Sequence, residues 1–307
     1  MSRLQGGVWH ISREYEGIAE AGGVKDVVAG LASSLRRCGA AVTIVLPRYG
    51  FIDLDGLAAA KLPFRLHLTL PAENRASKPA VREIEVYETK RQGVRIFLLD
   101  SAHTRDKGSV YTYTEEEELK RPERRKGSGH WDAHHLNLTL QLGALELALH
   151  LSGVSDDGMA EVFHCHDGHT AFLPAIMREQ KKFREKFLKT RAVVTIHNAG
   201  WGYHQEIYGM DFARGLTGLE AEVLSKGMLP DKKECIDPLL LSAHYAAVNT
   251  VSEEYAGEIM RGALEGSTGG LGAALRKAGL NLTGITNGID LENYDPRTAG
   301  GSSLPCA

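Results

Sequence analysis

The chain has 307 residues, 43% of them apolar, and a formal net charge of −3. That is enough apolar material for one large core or two modest ones, and it excludes neither an enzyme nor a binding module. Without a broad basic field, nucleic acid and anionic membrane surfaces have no electrostatic support as partners, so a small neutral or locally anionic ligand is expected. Cys38, Cys165, Cys235 and Cys306 show no paired spacing. This argues against a disulfide framework or zinc ribbon and points to a reducing, cytoplasmic setting. The opening MSRLQGGVWHIS lacks a secretory pattern, and no run of about 18 apolar residues occurs, so neither export nor membrane spanning is expected.

In chain order, residues 7–12 read as a strand, Gly22-Gly23 as a turn, and residues 25–38 as an amphipathic helix with Val27, Val28, Leu31 and Leu35 on one face. Gly39 stops that helix, and AVTIVL at 41–46 reads as a fully buried strand, completing a βαβ unit with a parallel sheet. Residues 64–70, 81–87 and 94–99 alternate without helices between them, which predicts antiparallel strands or hairpins inserted on one edge. The charged segment 112–129 reads as a mobile solvated loop. The spacing then predicts a helix over 132–151, a strand at VFHCHD, a helix over 169–179 and a strand over 192–196. The last part reads as helix 237–247, strand 247–250, helix 252–263 capped by Ser252, helix 271–278 and strand 282–286, with an unstructured tail TAGGSSLPCA. The expected fold is α/β and Rossmann-like, a mostly parallel sheet with helices on both faces. Such sheets bind ligands outside the carboxyl ends of their strands.

Several residues that could carry chemistry fall at that edge. Gly22 and Gly23 precede a helix N-terminus, where backbone N–H groups and the helix dipole attract anions, although paired glycines equally suit a plain tight connection. Lys25 could add positive charge there. His164, His166, Asp167 and His169 gather where a buried strand empties into a helix; imidazoles there can bond sugar hydroxyls, and Asp167 can orient one of them. The run also resembles the ligand set of metallo-β-lactamase-like hydrolases, for which zinc would be the first choice, but Gly168 stands where that motif has its Asp, so no metal is expected. His197 and Asn198 supply another imidazole and an amide, suited either to fixing hydroxyls or to closing a turn. Trp201, Tyr203 and His204 offer faces for a sugar ring or for core packing.

The order of motifs resembles the N-terminal domain of bacterial glycogen synthases and plant starch synthases. The matching segments are EAGGVKDVV, HCHDGHTAFLP, VVTIHN, NTVSEEYAGEI and GITNGIDLENYDP, with residues 64–125 the weakest stretch. The resemblance implies the N-terminal half of a glycosyltransferase-B fold that transfers glucose from ADP-glucose, or UDP-glucose, to the 4-hydroxyl of an α-1,4-glucan with retention, without a metal or redox cofactor. It implies that Gly22 and Gly23 lie beneath the donor phosphates, Asp26 faces the reacting sugars, His166 hydrogen-bonds the transferred glucose and Asn287 contacts the sugars near the interdomain cleft. The family's NG[IV]D motif leads into a C-terminal nucleotide-sugar domain, whereas about a dozen residues follow it here. The expectation is therefore an N-terminal, acceptor-side domain over 1–296 with a linker or tail over 297–307, inactive without its C-terminal partner. Two positions depart from the family: Glu20 replaces the lysine of K-x-G-G-L, and Gly168 replaces the Trp after H-x-H-D. A catalytically silent glucan-binding or regulatory module is the alternative those departures leave open.

Overall fold

The computed structural model describes residues 7–70, 80–153, 160–230 and 232–289. The expected tail and the boundary at 296 lie outside the described residues. β1 (Gly7–Ile11) leads through α1 (Val24–Arg37) to β2 (Val42–Pro47), the long strands β3 (Ala60–Leu70) and β4 (Ala80–Arg91), and β5 (Val94–Asp100). Then come α2 (Ala102–Arg105), α3 (Glu115–Lys120), α4 (Ala133–Ser152), β6 (Ala160–His166), α5 (Leu173–Glu179), α6 (Lys181–Arg184) and β7 (Arg191–Ile196). The short strands β8 (Ile207–Tyr208) and β9 (Cys235–Ile236) pair around α7 (Met210–Thr217) and α8 (Ala221–Ser225). The described chain closes with α9 (Pro238–Ser242), β10 (Ala247–Thr250), α10 (Glu253–Arg261), α11 (Leu271–Lys277) and β11 (Thr283–Gly284).

The main sheet has the order β11-β10-β7-β6-β1-β2-β5-β4-β3. Neighbours from β11 through β5 are parallel, and β4 is antiparallel to both β5 and β3. The mostly parallel α/β sheet is therefore as expected, and β3 and β4 are the inserted edge hairpin. The third alternating run, β5, is instead a parallel partner of β2, so the hairpin itself serves as the crossover between two parallel strands.

Alternation along each strand divides the core in two. Val42, Ile44 and Leu46 of β2 and Val94, Ile96 and Leu98 of β5 pack with Val28 and Ala32 of α1. Val45, Phe97 and Leu99 face the other way, toward α4 and α5, with Trp9, Ile11, Phe163 and Cys165. Both faces are covered, which is why these strands read as near-continuous apolar runs. No helix among the described residues is long and apolar enough to cross a membrane.

Three other segments differ from the sequence reading. The charged stretch expected as a loop contains α3, closed by a capping box in which Thr114 and Glu117 satisfy each other's backbone N–H groups, and it buries Glu117 and Arg124. The helix expected from His169 begins only at Leu173, after a 3-10 turn at Gly168–Thr170; Pro174, lacking an N–H, fits the first turn of α5. The helix expected over 237–247 is limited to α9, whose Asp237 cap fixes its start. Ser252 caps α10 as expected, its side chain accepting the Tyr255 N–H at 3.0 Å.

α4 is buried along much of its length, so truncating its centre should be costly. Leu145→Ala, at a fully buried position, is expected to lower stability by about 2–5 kcal/mol in urea unfolding; a loss well below that range would contradict the packing described.

Candidate functional site

In a doubly wound sheet the ligand crevice opens where the strand order reverses, and here β1 is flanked by β2 on one side and β6 on the other. The register sets His10 of β1 opposite His164 of β6. Parallel pairing and the two-residue strand period then gather His10, His164 and His166 on one face, and His197 joins them from the end of β7. His10 Nδ1 lies 3.1 Å from His166 Nε2, and His166 Nδ1 lies 3.0 Å from His197 Nε2. The rings stack, with centroids 4.5 Å apart for His164 and His166 and 5.2 Å for His166 and His197.

Burial lowers the pKa of all four imidazoles. His197 falls to about 4 through burial alone, and His164 to about 4 through burial and then His197. His10 is held well below its ordinary value by burial and His164, and His166 by burial and the imidazoles around it. The column is therefore neutral at pH 7; it can give and accept hydrogen bonds but supplies no positive charge.

The residue types also raise the question of a metal. Ligand atoms of His10, His164 and His166 come within 4.8 Å of one another. His166 already uses both ring nitrogens on His10 and His197, and His164 Nε2 lies 2.7 Å from Thr195 Oγ1, so a metal would have to break this network to find its lone pairs. The ligand set considered from sequence is not assembled either. Asp167 turns to the backbone beyond β7, and His169 packs against Tyr111 at 4.9 Å between ring centroids.

Asp167 links β6 to the loop after β7. Its backbone takes a left-handed φ of 58°, uncommon for a residue with a side chain. Its Oδ1 accepts the N–H groups of His197 at 2.7 Å and Asn198 at 3.4 Å. Burial raises this carboxyl to about 7, although the two N–H groups act in the opposite direction. Asp167 therefore fastens the His197-Asn198 segment through its backbone, whereas the sequence reading has it orient an imidazole ring or accept from a hydroxyl. The Asn198 side chain closes its own turn, Oδ1 accepting the Gly200 N–H at 2.8 Å.

At the Gly22-Gly23 turn the two glycines play different parts. Glu14, just beyond β1 and buried, places Oε2 against the N–H groups of Ala21 at 3.1 Å and Gly22 at 2.5 Å, while Oε1 accepts the Tyr111 hydroxyl at 2.7 Å. A side chain of the protein thus occupies the anion cradle at Gly22. Gly23, at the α1 N-cap, faces open space. Lys25 pairs with Asp26 at 2.7 Å, which together with the nearby Glu20 and Glu16 raises the lysine pKa against the opposing effect of burial. Glu20 Oε1 accepts the Gly17 N–H at 2.5 Å.

Asn287 leaves β11 at the same sheet edge, three strands from β6, roughly 14 Å away at the usual strand spacing. It is exposed and not brought to the histidine column. Of the three aromatic side chains considered for sugar stacking, Tyr203 is open at 52% exposure. Trp201 packs against Gly269 and carries the Lys232 ammonium over its ring. His204 is wholly buried, Nδ1 against Asp237 Oδ2 at 2.7 Å and Nε2 against the Ala199 carbonyl at 2.9 Å. Both ring nitrogens face acceptors, so the ring is an imidazolium; burial opposes that charge, but Asp237 leaves its pKa raised. Sequence reasoning missed His10, Glu14, Tyr111 and Arg13, whose buried guanidinium bonds Tyr49 at 3.0 Å and Asn137 at 3.2 Å. The one local signal was a polar residue inside the apolar strand GVWHI.

The family described as the starch synthase catalytic domain matches residues 7–277. The chain belongs to the starch synthase catalytic domain family. It is 28% identical over 287 residues to a glycogen synthase of Streptococcus uberis, covering 93% of this chain and 52% of that protein. To a glycogen synthase of Photobacterium profundum it is 26% identical over 291 residues, covering 94% and 51%. The catalytic domain of Arabidopsis thaliana starch synthase IV, bound to ADP and acarbose, shares the fold with a TM-score of 0.72 at 23% identity over 95% of this chain and 54% of that one. The chain thus spans about half the length of the curated relatives it matches.

Against the pattern expected of starch synthase domains, Gly168 has a steric explanation. A Cβ there would lie 2.0 Å from the His204 carbonyl oxygen and 3.0 Å from that of Tyr203. The loop carrying Tyr203 and His204 lies directly on Gly168, in space a tryptophan would fill. Gly168→Ala should therefore displace that loop and cost about 2–3 kcal/mol in chemical denaturation; a variant as stable as the parent would refute the close approach.

The buried imidazoles also set a pH dependence. His10, His130, His164, His166, His169 and His197 are all depressed below their ordinary 6.5 by burial first. Between that value and the lower folded values the unfolded chain binds more protons, so stability falls as pH drops from about 6.5 toward 4. Asp167 and His204, both raised, act in the opposite sense: Asp167 loses its contribution as pH rises toward about 7, and His204 as pH rises through its elevated value. The depressed imidazoles outnumber them. Tm is therefore expected to fall between pH 6.5 and 4.5, and a level or rising Tm across that interval would contradict the neutral column.

Proposed function

We propose that this chain is the acceptor-side half of a retaining glucosyltransferase, which moves glucose from a nucleotide sugar, ADP-glucose first, to the 4-hydroxyl of an α-1,4-glucan together with a C-terminal nucleotide-sugar domain. The observation that supports this reading is, in a starch synthase catalytic domain, a histidine column that joins β6 and β7 to β1, the strand that leads into the Gly22-Gly23 turn. In this reading Gly23 lies under the donor phosphates, Asp26 faces the reacting sugars, and His166 with His197, aligned by Asp167, addresses the transferred glucose. His169 and Asn198 support that edge, and Asn287 meets the sugars from the cleft side.

Transfer with retention requires the C1–O bond to the diphosphate to break through an oxocarbenium-like state. The departing phosphate oxygen takes the proton of the acceptor 4-hydroxyl as that oxygen bonds to C1 on the same face. The neutral imidazoles of this half contribute position and hydrogen bonds, each worth about 0.5–1.5 kcal/mol net. The charge of the leaving diphosphate has to be met from elsewhere, which is why the reading includes a second domain that brings cations.

The test links the chain to the C-terminal half of a curated relative and measures incorporation of labelled glucose into a maltooligosaccharide primer. Transfer from ADP-glucose or UDP-glucose by the linked protein is expected, with none by the chain alone and a loss of about 100-fold in His166→Ala. No transfer from either donor would overturn the reading. A second reading, a catalytically silent glucan-binding module, is favoured by the charge at the turn, where Asp26, Glu20 and Glu16 act on the Lys25 ammonium and the Glu14 carboxylate holds the Gly22 N–H. Maltooligosaccharide binding by the chain, with no activity gained by Glu20→Lys in the linked protein, would select it.

A further inference from the structure

Both nitrogens of His166 are engaged, Nε2 with His10 Nδ1 and Nδ1 with His197 Nε2. A neutral imidazole has one N–H and one lone pair, so three rings joined by two such bonds must all direct their N–H groups the same way. In the inward order His197 donates to His166 and His166 to His10. That leaves His10 Nε2–H, in a wholly buried ring, facing no acceptor among the described residues. In the outward order His10 donates to His166 and His166 to His197, and the atom left unpaired at the buried end is a bare lone pair. An orphaned buried N–H is rarer than an under-satisfied buried acceptor, so the outward order is preferred.

We infer that His10, His166 and His197 form a one-way hydrogen-bond relay whose outer end, His197 Nδ1–H, is the donor this sheet edge presents to an oxygen of a bound sugar or sugar phosphate. The ligand class rests on the glucosyltransferase reading; the direction of the relay does not. His197 Nδ1 has no partner among the described side chains, and unlike His10 Nε2 it is not an occluded atom. His166 is then a positioning residue that acts on the ligand through His197, and the buried end, occupied by His10, sets the polarity. His164 stacks against the relay without joining it. Its Nε2 lies 2.7 Å from Thr195 Oγ1, whose hydroxyl proton goes to Asn249 Oδ1 at 2.9 Å, so His164 donates from Nε2 and has the opposite tautomer.

Two-bond proton–nitrogen correlation spectra of the 15N-labelled chain at neutral pH read these tautomers directly. Single His→Gln substitutions assign the signals. His10, His166 and His197 are expected as Nδ1–H tautomers and His164 as Nε2–H; His197 found as Nε2–H, or as an imidazolium, overturns the relay. In His10→Phe the buried end becomes His166 Nε2, where a bare lone pair is again preferred to an orphaned N–H, so the His197 signal should stay Nδ1–H; a shift to Nε2–H in the folded variant also overturns the relay. Should His10→Phe fail to fold, His10→Gln retains an amide donor and is expected to keep the parent tautomer at His197; conversion to Nε2–H there counts against the relay. Titration with ADP-glucose and with maltotetraose should move His197 Nδ1–H more than the other ring signals, and His197→Ala should weaken binding about five- to tenfold. Binding that leaves His197 unmoved refutes its ligand-facing role, while absence of binding by either sugar even in the protein linked to a C-terminal half, with the tautomers as expected, counts against the glucosyltransferase reading alone.

Discussion

The pairing of β1 with β6, with His10 opposite His164, is the constraint on which the strand-edge architecture depends. Slipping that register by one residue would turn His10 to the face that Trp9 and Ile11 occupy and bring Trp9 among the imidazoles. The apolar alternation prevents the slip. Trp9 stacks on Phe97 at 6.0 Å and meets Phe163 edge-on at 6.1 Å, so the core that α4 and α5 cover holds the histidines of the opposite face in line. Stability and site geometry are here two results of one strand pairing.

Around that pairing, loops are held by polar groups that are themselves buried. Asp167 fastens the segment after β7 to the end of β6, and the His204–Asp237 ion pair fastens the far side of the same segment to the start of α9. A comparable pair on the other flank, Lys107 with Asp132 at 2.9 Å, ties the loop after α2 to the start of α4. Burial would raise the Asp132 pKa, but hydrogen bonds from His103 and Lys107 hold it down to about 2. Breaking one member of such a pair strands the other charge, so these contacts restrict the loops to one arrangement more than they add net stability.

Much of this was legible in the sequence because it is local. AVTIVL reads as a buried strand since both faces of β2 are covered, and HCHDGH marks where β6 leaves the sheet since a strand that ends in polar residues cannot continue into the core. The motifs identified the family because they sit at strand ends, in order, across the chain. What stayed hidden depends on distance in sequence. His10 looks like a stray polar residue until β6 arrives more than 150 positions later, as the His10–His166 bond shows. The parallel placement of β5 follows from strand order, which no local pattern encodes. The capped helix α3 was masked by its charge, because Glu117 and Arg124 are buried only through their partners.

The Glu14 carboxylate sits on the Ala21 and Gly22 N–H groups, where the glucosyltransferase reading would bring an anion. A group tethered a few residues from its receptor acts as a competitor at an effective concentration in the millimolar range or above. A free anion can take the Gly22 N–H only by evicting it, which would also release the Tyr111 hydroxyl it accepts. A ligand that leaves Glu14 in place meets no such competition, and Gly23 beside it remains open. In the glucosyltransferase reading the turn is thus already occupied on the Gly22 side and open to a ligand on the Gly23 side.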